Sequence, residues 1–253
     1  MTYFRKWSFF LTLCFAIATA NAGSGAKAET AHIAVAANFA AAMKDIAEAF
    51  HKASGHDAIL SFGSTGQLYA QITQGAPFDV FLAADGARPE QAAAKGYAVV
   101  GSRFTYATGR LALFAPSITN PGPGILKPAS FDKFAIANPE TAPYGRSAVE
   151  TLRALGVYDA LSARLVRGNN IAQTFQFVRT GSADAGFVAL SQIRDSGNPP
   201  HWLVPENLHA VIAQDAVLLR DGKANEAALA FLIFLRGPDA GAIKARYGYG
   251  SGD

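Results

Sequence analysis

Cysteine is almost missing from this chain: Cys14 is the only one in 253 residues. With no second thiol there is no intrachain disulfide, and because Cys14 falls in the apolar N-terminal run, the rest of the chain has no thiol chemistry. Charge is scarce and evenly split. Of 22 lysines and arginines, Arg5, Lys6 and Lys27 lie in the first 28 residues, which hold no acidic side chain, so the remainder balances 19 basic against 19 acidic residues. That removes the basic face on which nucleic-acid or membrane-surface binding depends. Beyond the N-terminal run no apolar stretch reaches the roughly 20 residues of a spanning helix, and neither a low-complexity segment nor a repeat of fixed period occurs. Catalytic signatures are absent as well. His32, His51, His56, His201 and His209 stand in no metal-binding or nucleophile–base spacing, and neither H-E-x-x-H nor G-x-S-x-G is present. Asp79 and Asp85 flank VFLAA as a conceivable carboxylate pair, but loop ordering and helix capping explain them as well, and no enzyme is expected.

What is present begins with a leader. Arg5 and Lys6 precede an uncharged apolar run from Trp7 to Ala20, followed by small residues, the layout of a secretory signal peptide over residues 1–28. Two A-x-A sites compete for cleavage, after Ala22 and after Ala28. Leu13 stands before Cys14 where lipoprotein processing wants a small residue, so lipid anchoring is not expected. The mature chain reads as an exported, periplasmic, soluble protein with no membrane insertion after processing.

Short apolar runs then alternate with helical patterns. HIAVAA is a strand, and FAAAMKDIAEAFHKASG places Phe39, Met43, Ile46 and Phe50 at helical spacing. DAILSF and QLYAQITQG repeat the pair, and FDVFLAAD precedes a helix opened by Pro89 and closed by Gly96. After the strand RLALFAP and a Pro/Gly-rich loop, a second series runs through KFAIANP, GRSAVETLRALG, RLVRG, IAQTFQFVRTG and AGFVAL. SGNPPHW reads as a loop, Ala210 to Leu219 as an apolar run, and two helices close the chain. Such alternation builds parallel sheets covered by helices. The expected fold is α/β with two lobes, residues 29–109 and 215–253 forming one and 110–214 the other. The chain crosses between them near 107–112 and 213–217.

In open α/β folds ligands bind where strands end and helices begin. Four such junctions carry small or amide residues: Asn38 after AVAA, Ser64 and Thr65 in SFGSTGQL, the NPETAPYG loop from Asn138 to Gly145, and Asn169, Asn170 and Ile171 after RLVRG. Helix N-termini offer unpaired N–H groups and partial positive charge, a half-site for an anion. Each junction alone is explained by N-cap preference, worth about 1 kcal/mol. Two in each lobe suggest more, because four converging helix starts would enclose an anion without lysine or arginine.

At these residues the chain resembles a known family. AVAANFAAAMKDIAEAF, SFGSTGQLYAQITQGAPFDVFLAAD, AIANPETAPYGRSAVETLRALG and FLRGPDAGAIKARYGY together are similar to the periplasmic molybdate-binding proteins of ABC importers, in order from about Thr30 to Tyr249. The resemblance implies a type II periplasmic binding fold whose hinged lobes close on molybdate or tungstate through neutral donors, then present the anion to a membrane permease. It implies no cofactor, and a monomer. By position it places Asn38, Thr65, Tyr144 and Ile171 at the anion, Tyr144 and Ile171 through their backbone N–H groups, with Ser64, Gly66 and Asn170 behind them. Some members carry a tyrosine in the AGFVAL region, where this chain has Ala189; Tyr144 is then a candidate to supply a phenol as well.

Molybdate has no proton to donate at neutral pH, so a site of donors alone suits it, whereas phosphate would gain from an acceptor. The four segments offer only Glu140 as a carboxylate. Two rival readings keep the fold and change the ligand. A ferric-ion site would use clustered tyrosines, for which Tyr247 and Tyr249 are candidates, although packing at the end of the last helix accounts for them. An organic-anion or sulfate carrier would need an arginine in the cleft, and Arg146 is the one candidate.

Overall fold

In β1 (Thr30–Ala36) the apolar stretch from Ile33 to Ala36 is buried on both faces: Ile33 and Val35 face one helical layer, Ala34 the other. The computed structural model describes residues 1–2 and 28–252; most of the leader, with Cys14 and the Ala20–Ala22 site, lies outside them. A single 3-10 turn, Ala37–Phe39, links β1 to α1 (Ala40–Ser54), which buries Met43, Ile46 and Phe50 as the spacing predicts. Then follow β2 (Asp57–Gly63), α2 (Thr65–Thr73), β3 (Val80–Leu82), α3 (Ala87–Ala94), β4 (Phe104–Gly109) and β5 (Leu111–Phe114). Helix α3 begins two residues before Pro89, because the Asp85 carboxylate accepts from Arg88 N at 3.1 Å and starts the turn there.

The second series comprises β6 (Phe134–Ala137), α4 (Pro143–Ala154), α5 (Tyr158–Leu161), β7 (Leu165–Gly168), α6 (Ile171–Arg179), β8 (Ala185–Ala189), α7 (Leu190–Asp195) and β9 (His201–Leu203). Strand β9 occupies part of the stretch expected as a loop: Trp202 pairs with Leu113 and packs on the core. The chain ends with β10 (Ile212–Leu218), α8 (Glu226–Arg236), α9 (Pro238–Arg246) and β11 (Gly250–Ser251).

Two sheets result. The first has the order β11-β4-β10-β3-β1-β2 and the second β7-β6-β8-β5-β9. Parallel pairing of β1 with β2 and β3, and of β6 with β7 and β8, brings strand ends and helix starts to one edge of each sheet. Both sheets are covered on both faces. Phe39, Met43, Phe50 and Phe231 fill one side of the first and Leu68, Phe81 and Val217 the other; Phe134, Phe187 and Leu152 fill one side of the second, Phe114, Val178 and Val188 the other. The chain passes between the sheets from β4 into β5 across Arg110, and returns from β9 into β10. β10 and β4 are antiparallel neighbours, Ile212 facing Gly109, with a bulge between Gln214 and Asp215.

Candidate functional site

Four helix starts, two from each lobe, meet around one small cavity. Its walls are Ala36, Ala37 and Asn38 at the end of β1, Gly63, Ser64 and Thr65 at the start of α2, Ala84, and from the second lobe Ala142, Pro143 and Tyr144 of α4 with Asn170 and Ile171 of α6. None of these carries a charge. The space open to the centre of a water-sized sphere is about 10 Å³, room for one compact group and no more.

Local hydrogen bonding decides which donors are left for that space. At α2, Ser64 and Gln67 form a reciprocal cap, each side chain meeting the other's backbone N–H at 3.4 Å. Gly66 N donates to Thr141 O and Leu68 N to Ser64 O. Of the first turn, only the Thr65 N–H remains. The Thr65 hydroxyl accepts from Ala84 N at 2.9 Å, which leaves its own hydrogen free. At α4, Pro143 has no N–H, while Gly145 and Arg146 both donate to Ala142 O; Tyr144 N is what is left. At α6, Asn170 Oδ1 takes Gln173 N at 3.0 Å and Asn170 O takes Thr174 N, leaving Ile171 and Ala172. Capping and donor supply are therefore one arrangement: the N-cap side chains satisfy inner amides and turn the outermost ones towards the cavity.

Six of the seven residues singled out from sequence line this space. Gly66 lies just outside it and does something else: its N–H meets Thr141 O at 2.8 Å across the lobe boundary. A Cβ there would sit 3.0 Å from Thr141 Cα and 3.1 Å from its oxygen, so the close approach depends on glycine. Further contacts join the lobes, among them Ser191 Oγ donating to Asn38 O at 2.8 Å, Arg146 pairing with Asp85 at 2.7 Å and Arg88 Nη2 donating to Glu140 O at 3.5 Å. Arg146 is therefore held in an interlobe ion pair and forms no part of the cavity wall. Asp85 also holds Arg88, and Asp79 accepts from His32 N at 2.7 Å, so the two aspartates do separate structural jobs. Glu140 is exposed and away from the cavity.

Behind the wall lies a buried polar layer that sequence reasoning missed. Asn38 Nδ2 donates to Gln214 Oε1 at 2.7 Å and to Tyr249 Oη at 3.3 Å; Tyr249 Oη donates to Asn38 O at 2.6 Å; Tyr106 Oη lies 3.1 Å from Gln214 Oε1. The only hint in the sequence is the pair Gln214-Asp215 inside an otherwise apolar strand. Burial pushes the Tyr106 and Tyr144 phenols well above their ordinary 10, with the Tyr249 phenol adding to both, and burial raises Tyr249 too. These are neutral phenols at physiological pH. Tyr247 is elsewhere, donating to Asp45 at 2.8 Å, so it and Tyr249 do not share a site. Among the described residues no group of three or more His, Cys, Asp or Glu could hold a metal ion, and no helix is long and apolar enough to cross a membrane.

The comparisons agree with this architecture. The family profile of the bacterial extracellular solute-binding proteins matches residues 31–250. The molybdate-binding protein ModA of Azotobacter vinelandii is 50% identical over 230 residues, covering 89% of this chain and 91% of the relative. ModA of Rhodobacter capsulatus is 47% identical over 218 residues, covering 85% and 86%. The solved periplasmic molybdate-binding protein of Azotobacter vinelandii superposes with a TM-score of 0.83 at 38% identity, covering 87% of this chain and 98% of that one. With two sheets joined by paired crossing strands, a cavity between them and a match along nearly the whole length, the chain belongs to the bacterial extracellular solute-binding proteins, in the group of the molybdate-binding ones.

Proposed function

We propose that this protein captures molybdate between its lobes in the periplasm and hands it to the membrane permease of an ABC importer, without catalysis and as a monomer. One observation carries the reading: the N-termini of α2, α4 and α6 leave the Thr65 N–H and hydroxyl and the Tyr144 and Ile171 N–H groups unpartnered at a single cavity, whose fourth corner is Asn38 and whose lining has no charged side chain. A dianion with acceptors only is the complement of such a wall. Helix N-termini supply partial positive charge from fixed dipoles, and neutral donors do not neutralise the ion by proton transfer. In this reading the ion is held by the Asn38 carboxamide, the Thr65 hydroxyl and N–H, and the N–H groups of Tyr144 and Ile171. Ser64, Gly66 and Asn170 stand behind them as caps and as the interlobe contact. Tungstate, a dianion of the same geometry, is accepted by the same donors.

The lobes in this reading are residues 29–109 with 215–253, and 110–214, with residues 1–28 removed on export. Closure brings the donors of both lobes onto one ion and is therefore driven by it. A ferric site is disfavoured because the two candidate tyrosines do not converge: Tyr247 donates to Asp45 and Tyr249 to the Asn38 main-chain oxygen. An organic-acid site lacks its arginine, because Arg146 is paired with Asp85.

Calorimetric titration of the mature chain with molybdate, tungstate, sulfate and phosphate at neutral pH tests the reading. One-to-one binding of the first two, with none of the others, is the expected result. Preference for sulfate or phosphate, or no heat with any of the four, refutes it.

A further inference from the structure

Asn38 is the one proposed ligand whose side-chain donors are already engaged. Its Nδ2 faces Gln214 and Tyr249, so the end of the carboxamide left to the cavity is the carbonyl Oδ1, an acceptor pointed at the place of an anion. Beside it, two buried atoms have no partner among the described residues: Tyr144 Oη and Gln214 Nε2. Both crowd the same spot, for a Cβ on Gly109 would lie 2.2 Å from the first and 2.6 Å from the second. Buried polar groups are nearly always paired, and here a donor without an acceptor adjoins a hydroxyl without one. Tyr106 Oη, with one hydrogen to give, faces two acceptors, Ala83 O at 3.2 Å and Gln214 Oε1 at 3.1 Å, a mismatch that turning the Gln214 amide end for end removes.

We infer that Gln214 is a positioning residue for the anion site, one that turns end for end together with Asn38 when the anion binds. In the turned arrangement Tyr144 Oη donates to Gln214 Oε1, Gln214 Nε2 donates to Asn38 Oδ1 and to Tyr106 Oη, and Asn38 Nδ2 donates to the anion. Tyr144 Oη and Gln214 Nε2 then both have partners, and Tyr249 Oη gives up only the long 3.3 Å bond it accepted from Asn38 Nδ2. Tyr106 keeps its own hydrogen on Ala83 O, 3.2 Å away, and Tyr249 keeps its hydrogen on the Asn38 main-chain oxygen. The donors run in one sense from Tyr144 to the ion, each polarising the next. Gln214 itself is fully buried on β10 and outside the cavity wall. It acts only through Asn38, and the inference rests on the molybdate site proposed above.

The test is a double-mutant cycle on the mature chain, titrated with sodium molybdate: wild type, Gln214→Met, Asn38→Ala and the pair. Gln214→Met is expected to weaken binding by about tenfold in the wild-type background and less than about threefold in Asn38→Ala, the signature of two residues acting as one unit. Equal losses in both backgrounds overturn the inference. Tyr144→Phe, which removes one oxygen only, provides a second cycle should Gln214→Met fold poorly; its loss too should vanish in Asn38→Ala. A structural role would not move the third readout. The side-chain NH2 pair of Asn38 in a proton–nitrogen NMR spectrum, identified by its disappearance in Asn38→Ala, should shift downfield with molybdate in wild type and stay in place in Gln214→Met. An unmoved pair in wild-type protein that does bind molybdate sinks the relay alone. Failure of wild type to bind sinks the anion site beneath it.

Discussion

Replacing Gly66 by alanine separates ligand affinity from folding with a single methyl group. The added carbon would stand 3.0 Å from Thr141 Cα, 3.1 Å from Thr141 O and 3.3 Å from Thr141 Cβ. Carbon atoms pack comfortably at about 3.5 to 4.0 Å, and all three neighbours belong to the opposite lobe, so relief comes from the lobes standing a few tenths of an ångström apart. That stretches the 2.8 Å bond from Gly66 N to Thr141 O, worth about 1 kcal/mol, and draws the second-lobe donors of Tyr144 and Ile171 back from an ion held at Thr65. The sum is about 1 to 2 kcal/mol, a loss of roughly 5- to 30-fold in affinity. Folding should respond the other way. Gly66 is the second residue of α2, not one of the positive-φ glycines, and alanine is the better helix former by up to about 1 kcal/mol. Calorimetric titration with molybdate, run beside thermal unfolding of the unliganded protein, reads both. The reasoning fails if affinity stays within twofold of wild type, or if the variant melts lower without ligand.

Thr65→Ala removes a hydroxyl whose hydrogen is free for the ion and should weaken binding by about 1.5 to 3 kcal/mol, the range for a hydrogen bond to a charged partner; titration decides. Arg146→Ala breaks an interlobe pair with Asp85 that is partly exposed, so its effect on affinity should stay below about 1 kcal/mol, whereas abolished binding would restore the organic-acid reading. The raised phenols of Tyr106, Tyr144 and Tyr249 bind their protons more tightly folded than unfolded. Their stabilising share is thus complete below about pH 10, the unfolded tyrosine value, and is lost as pH climbs above it. Titration by tyrosine absorbance should find these three silent until the alkaline unfolding transition, and early smooth ionisation of all tyrosines would contradict the burial.

Much of the site could be read from sequence because its parts are local. Ser64 with Gln67 and Asn170 with Gln173 cap helices three residues away, so their chemistry is written in adjacent letters. The start of α4 is equally local, Pro143 fixing which N–H is left. What stayed hidden depends on distant partners. Asn38 and Gln214 are 176 residues apart, and nothing near either one announces the other. Arg146 looked available until the fold brought Asp85 of the other lobe to it. Short elements were missed for a related reason: β9 and β11 have three and two residues, too few for any period, and exist because β5 and β4 each have an edge to offer.

The two passages of chain between the lobes lie side by side, Gly109 of β4 facing Ile212 of β10 within one sheet. The hinge motion proposed above would therefore have a single axle, and points near it would travel least. Gln214 and the Tyr144 hydroxyl crowd Gly109 at that axle, whereas Thr65 and Ile171 sit on the jaws. If the lobes open as proposed, the polar layer would keep its place while the jaws part, so that only the jaws' donors would have to travel to enclose an ion.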